Sequence, residues 1–210
     1  MMSLVLPALY PITDVRISGL THADQVKLLA KGGATLIQLR DKESAPRDFY
    51  AAARDAMSVA RQLGVQIIIN DRVDIALAVG AAGVHLGQTD LPPDRVRKLV
   101  GDYFIIGYST HNVEQARTAD SMPVDYVAVG PVFHTSTKED TDEVLGLTGV
   151  ESVRLVVSKP LVAIGGISLT SSRAVITAGA DSVAVISDLI GSRSIPERTR
   201  EFLSVLDGAA

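Results

Sequence analysis

Short apolar runs alternate with polar stretches of helical spacing from one end of this chain to the other. The run with the sharpest edges is Gln66-Ile-Ile-Ile69, which stops at Asn70-Asp71. Three consecutive β-branched residues bounded by polar ones predict a strand buried on both faces, as in a parallel sheet. A helical pattern, Arg72 to Val79, follows at once. Asn70 and Asp71 therefore stand at the carboxyl end of a buried strand, where α/β folds bind ligands. Asp71 also suits a helix N-cap.

The same alternation predicts strands at Leu4–Tyr10, Ala34–Leu39, Gly83–Gly87, Tyr103–Tyr108, Val124–Gly130, Leu161–Ile164 and Asp181–Ile186. Helices fall between them. Thr21 opens one that Gly32-Gly33 stops, and Pro46 to Leu63 forms another that Gly64 ends. Further helices are expected over Pro92–Val100, Val113–Ala119 (capped by Asn112), Thr148–Val157, Leu169–Ala178 and Pro196–Leu206. A short segment, Ser187 to Ile190, precedes the last. Eight βα units of roughly 20–30 residues each, without a linker, predict one α/β domain over residues 1–210, a (β/α)₈ TIM barrel. An open doubly wound sheet is the alternative, but its G-x-G-x-x-G turn after the first strand is missing.

Composition narrows the function. The net charge is −4, which argues against a nucleic-acid surface. There is no cysteine, so thiolate catalysis and zinc–thiolate sites are excluded. Met1 to Pro7 has no basic region and meets proline after a short apolar run, so neither a signal peptide nor a membrane span is expected. A cytoplasmic enzyme or binding protein is the expectation, and homo-oligomeric assembly stays open.

In a barrel, the polar residues at the strand ends share one mouth. They are Arg40 and Lys42, Asn70 and Asp71, Asp90, Ser109, Thr135-Ser-Thr-Lys138, Gly165-Gly166 and Ser187. Fixed cations, two carboxylates, hydroxyls and glycine turns suggest an anion site beside a hard-cation site. Asp71 and Asp90 follow adjacent strands, about 4.8 Å apart, and two such carboxylates can share one Mg²⁺ with substrate phosphates. Both also suit helix caps. Gly165-Gly166 and Ile186-Ser187, on the last two loops, match the common barrel phosphate site, although a tight turn also needs glycine. The histidines form no ligand cluster. His22 starts a helix, His85 lies inside a strand as barrel filling, His111 stands at a strand end and His134 sits in the long loop.

Several runs together carry a family resemblance. They are Tyr10-Pro-Ile-Thr-Asp14, Gln38-Leu-Arg-Asp-Lys42, Asn70-Asp71, Gly83-Val-His-Leu-Gly-Gln-Thr-Asp90, Gly107-Tyr-Ser-Thr-His111, Gly130-Pro-Val-Phe-His-Thr-Ser-Thr-Lys138, Ala163-Ile-Gly-Gly-Ile167 and Gly179-Ala-Asp-Ser-Val-Ala-Val-Ile-Ser187. Through them nearly the whole chain resembles the thiamin-phosphate synthases. The resemblance implies a transferase that joins hydroxymethylpyrimidine diphosphate to hydroxyethylthiazole phosphate, releasing diphosphate. It implies that Gln38, Leu39, Arg40, Asp41 and Lys42 bind the pyrimidine substrate, with Arg40 and Lys42 on its phosphates. Asn70, Ser109 and Lys138 would contact the same molecule, and Asp71 and Asp90 would hold Mg²⁺. Thr135, Ser136 and Thr137 would hold the thiazole phosphate, helped by the backbone of Gly165, Gly166, Ile186 and Ser187. Arg40, Lys42, Ser109 and Lys138 would be the catalytic set.

That chemistry needs no general base, because the thiazole nitrogen is already nucleophilic. The hard event is departure of diphosphate, which calls for charge neutralisation and exclusion of water. The long polar segment Pro131 to Gly146 is expected to act as a lid. A thiazole-phosphate tautomerase of the same fold, and a non-catalytic sensor of a phosphorylated ligand, are the rival readings.

Overall fold

Eight parallel strands close into a barrel in chain order, with β1 (Leu9–Thr13) pairing with both β2 (Leu36–Leu39) and β8 (Ser182–Val185). The structure is a computed structural model that describes residues 5–135 and 143–207. Between β1 and β8 lie β3 (Gln66–Asn70), β4 (Gly83–Leu86), β5 (Ile105–Thr110), β6 (Tyr126–Val129) and β7 (Leu161–Ile164). The first two connections hold α1 (Val15–Ser18), α2 (His22–Lys31) and α3 (Pro46–Leu63). Then come α4 (Val73–Val79), α5 (Pro93–Val100), α6 (Val113–Asp120), α7 (Gly146–Arg154) and α8 (Leu169–Thr177), with α9 (Ser187–Ile190) and α10 (Ile195–Asp207) closing the chain. The predicted TIM barrel is therefore present.

Strand residues are buried on both faces because one face fills the barrel and the other lies under helices. The long helix α3 shows how the outer layer is built. Phe49, Ala53, Ala56, Met57 and Ala60 recur at helical spacing and are buried, while the other face is polar. Gly64 ends it in the left-handed region at φ 69°, with its N–H on the Ala60 carbonyl. Inside the barrel, Gly107 makes room for an aromatic ring: a Cβ there would lie 2.0 Å from Cζ of Tyr126.

Some boundaries differ from the sequence expectation. The first strand runs over Leu9–Thr13, not Leu4–Tyr10, and contains Pro11. It tolerates proline because Pro11 stands where the β8 ladder ends and the β2 ladder begins, at Ile12. The short α1 was not expected. Asp14 caps it through its side chain, and Gly19 closes it at φ 68°. The fifth strand extends to Thr110, so Ser109 lies within β5 rather than after it.

Of the long segment 131–146, residues 136–142 lie outside the described residues, and with them Ser136, Thr137, Lys138 and the middle of the expected lid. Its base is fastened. Val132 and Phe133 donate backbone N–H bonds to Ile164 and Gly165, each 2.9 Å, and Leu145 and Gly146 donate to Pro131 and Val132, each 3.0 Å.

Candidate active site

The end of β2 contributes a buried cation. Arg40 is 8% exposed, and its Nη1 donates to Oδ2 of Asp14 at 2.9 Å. Asp14 also pairs with Arg16, which in turn reaches Glu43 at 2.7 Å, so the β1 and β2 loops are tied together. Asp41 shapes the turn that follows by accepting from the backbone N–H groups of Glu43 and Ser44. Burial alone would raise its pKa, but the bonds from Ser44 and Glu43 hold it below the usual carboxylate range. Leu39 is wholly buried in the barrel wall, so its side chain is structural.

Neither acidic residue at the next two strand ends caps its helix. Asp71 adopts a left-handed backbone, φ 63°, the only such non-glycine conformation among the described residues. Its carboxylate takes the Lys42 ammonium at 2.5 Å. Asp90 accepts the Gly87 N–H at 2.7 Å. Burial raises the Asp90 pKa most, the Gly87 N–H lowers it, and the charge of the facing Asp71 raises it again. The two carboxylates thus face each other, as their positions on adjacent strands implied. Among the described residues, no group of three or more His, Cys, Asp or Glu is arranged to hold a metal ion. Beside the pair, Asn70 is buried with its Nδ2 unpartnered.

Deeper in the barrel a polar chain crosses the interior. Gln38 Nε2 donates to the Tyr10 hydroxyl at 3.1 Å, and that hydroxyl meets the Tyr126 hydroxyl at 3.0 Å. The Tyr126 hydroxyl meets His85 Nδ1 at 2.9 Å, and His85 Nε2 meets Ser109 Oγ at 2.8 Å. The imidazole stacks on the Tyr126 ring, with centroids 5.6 Å apart. His85 fills the barrel as expected, but it also joins two polar groups.

On the far side, Gly165 (φ 103°) and Gly166 (φ 63°) form the turn after β7. A Cβ on Gly166 would lie 2.4 Å from the His134 carbonyl oxygen, and one on Gly165 would lie 2.6 Å from Cα of Pro131. These glycines therefore let the β7 turn pack on the base of the 131–146 segment. Ile186 stands at the N-cap of α9 and Ser187 begins it. Asp188 accepts the Leu169 N–H at 2.7 Å and pairs with Arg198 at 2.5 Å, which ties the last two loops together. Thr135 is half-buried at the edge of the described segment.

Sequence reasoning missed Asp14, Tyr10, Tyr126 and the second function of His85. A signal existed for the tyrosines: each carries a hydroxyl inside an otherwise apolar strand, and a buried hydroxyl needs a partner.

Comparisons with known proteins point to one family. Residues 9–189 match the family model described as "Thiamine monophosphate synthase". A "Thiamine-phosphate synthase" of Koribacter versatilis is 46% identical over 210 residues, covering 97% of each chain. One from Clostridium novyi is 42% identical over 198 residues, covering 94% of this chain and 97% of its own. Among solved structures, a thiamine phosphate pyrophosphorylase from Pyrococcus furiosus superposes with a TM-score of 0.88 at 34% identity, covering 96% of both chains. Family match, fold and matched length agree, and the chain belongs to the thiamine monophosphate synthase family.

Proposed function

We propose that this protein joins hydroxymethylpyrimidine diphosphate to hydroxyethylthiazole phosphate, and that the barrel mouth works by stabilising the departing diphosphate. The observation that carries the reading is the meeting, at one mouth, of two cations from β2 and two facing carboxylates from β3 and β4. A tautomerase acting on thiazole phosphate would have no use for that set.

The Asp14 bond uses one of five guanidinium donors on Arg40 and holds the head still. The remaining donors serve the diphosphate. Lys42 rests on Asp71, and it exchanges that partner for a phosphate oxygen when substrate arrives. The donor set suits Mg²⁺, which is usually held by one or two carboxylates with phosphates and water completing its shell. Asp71 and Asp90 would hold it, and when bound it neutralises charge on the leaving diphosphate. Ser109 donates its hydroxyl to the same anion, and Asn70 offers its unpartnered Nδ2 to the pyrimidine substrate. Lys138 and the hydroxyls of Thr135, Ser136 and Thr137 complete the anion contacts, by family resemblance. The thiazole phosphate rests on the backbone of Gly165, Gly166, Ile186 and Ser187. The thiazole nitrogen then attacks the methylene carbon that diphosphate has left.

Purified protein, both substrates and Mg²⁺ test this in one chromatographic assay. Thiamin phosphate should form only when all three are present. Isomerised thiazole phosphate without condensation would favour the tautomerase, and binding without any product would favour a sensor.

A further inference from the structure

The chain of polar side chains across the barrel has a direction. Gln38 Nε2 can only donate, so the Tyr10 oxygen accepts from it. Tyr10 is 1% exposed and Tyr126 is fully buried. Burial raises the pKa of both phenols, so both remain neutral hydroxyls. The Tyr10 hydrogen has the Tyr126 oxygen as its acceptor. The Tyr126 hydrogen then goes to His85 Nδ1. A neutral imidazole accepting at Nδ1 carries its proton on Nε2 and donates it to Ser109 Oγ.

We propose that Gln38, Tyr10, Tyr126 and His85 form a hydrogen-bond chain of this single polarity, which holds the Ser109 hydroxyl as a donor towards the substrate's anion. With its oxygen occupied by His85, the serine turns its own hydrogen towards the mouth. In the opposite polarity that hydrogen would be spent on His85, and lone pairs would face the anion instead. Tyr10, Tyr126 and His85 are positioning residues. The proposal rests on the reading of Ser109 as a contact of the diphosphate substrate.

The first test does not need activity. In ¹⁵N-histidine-labelled protein, the ring nitrogens of His85 are assigned by their loss in His85→Gln. Wild type should show Nδ1 bare and Nε2 protonated. Gln38→Glu at pH 8 replaces the donor by an acceptor. It should reverse the chain and move the proton to Nδ1. A protonated Nδ1 in wild type, or an unchanged tautomer in Gln38→Glu, overturns the proposal.

The second test reads turnover. Tyr126→Phe should lower kcat about tenfold with a smaller change in either KM, and Ser109→Ala should then cost little more. Additive losses from the two substitutions contradict a shared chain. If wild type made no thiamin phosphate while the tautomer result held, the reaction would be misassigned and the polarity would stand.

Discussion

Asp71 keeps a left-handed backbone that costs a non-glycine residue about 1–2 kcal/mol. Glycine would relieve that cost, and the carboxylate is what the position gains in exchange. Asn tolerates the same conformation, and its amide oxygen can accept the Gly87 N–H in place of the Asp90 carboxylate, so Asp71→Asn and Asp90→Asn should fold normally. Each should lose roughly a hundredfold in turnover, a few kcal/mol of metal-assisted stabilisation. A rate titration over Mg²⁺ concentration checks this, and near-normal rates in excess EDTA would rule out the metal site. Asp71→Gly should raise the urea midpoint while abolishing most turnover.

His22 offers a pH-dependent counterpart. It is buried, its Nδ1 meets the Thr13 hydroxyl at 2.7 Å, and its Nε2 lies 3.7 Å from Asp41. Burial lowers its pKa below the ordinary 6.5, against a smaller opposing effect of Asp41. The unfolded chain then binds a proton at higher pH than the folded one. Stability from this residue is present above the unfolded pKa and is lost as pH falls through it towards the folded value. Urea midpoints measured from pH 7.5 to 5 should therefore decline, and less steeply in His22→Gln. Identical slopes would show that other groups govern acid sensitivity.

At the scale of elements, the strand and helix periods were legible because a parallel barrel buries whole strands and leaves amphipathic helices outside. The eight βα units and the shared mouth followed from that. The start of β1 was not legible. Pro11 reads as a strand breaker until the hand-over between its two ladders is known, and that is a three-dimensional fact. Likewise, Asp71 and Asp90 read equally as caps. Only the backbone at Asp71 and the Gly87 contact of Asp90 separate them from capping.

By sequence, the glycine turn after β7 suits both a phosphate cradle and a tight turn. Its positive φ angles and close backbone neighbours show that packing by itself requires glycine there. Gly166→Ala should cost about 2–4 kcal/mol, since the added methyl meets the His134 carbonyl. Gly19→Ala, with similar φ but nothing within 4 Å, should cost only about 1 kcal/mol. Equal losses in urea denaturation would mean that the β7 turn moves freely from the 131–146 base. In the neighbouring loop, Asp188→Ala should raise the KM for thiazole phosphate more than that for the pyrimidine substrate, because it unties the Leu169 N–H and removes the Asp188 ion pair of Arg198.

For the whole molecule, the barrel gathers residues that are far apart in sequence onto one rim, and the chemistry asks for no more than that rim supplies. In the proposed mechanism the cations and the carboxylate pair would handle the leaving group, and the incoming nitrogen would need no activation. The measurement that bears most directly on this is ³¹P NMR of one reaction containing the protein, both substrates and Mg²⁺. The expected result is one diphosphate and one thiamin phosphate formed for each pyrimidine diphosphate consumed. Diphosphate release that proceeds equally well without thiazole phosphate, or no release with both substrates present, would contradict it.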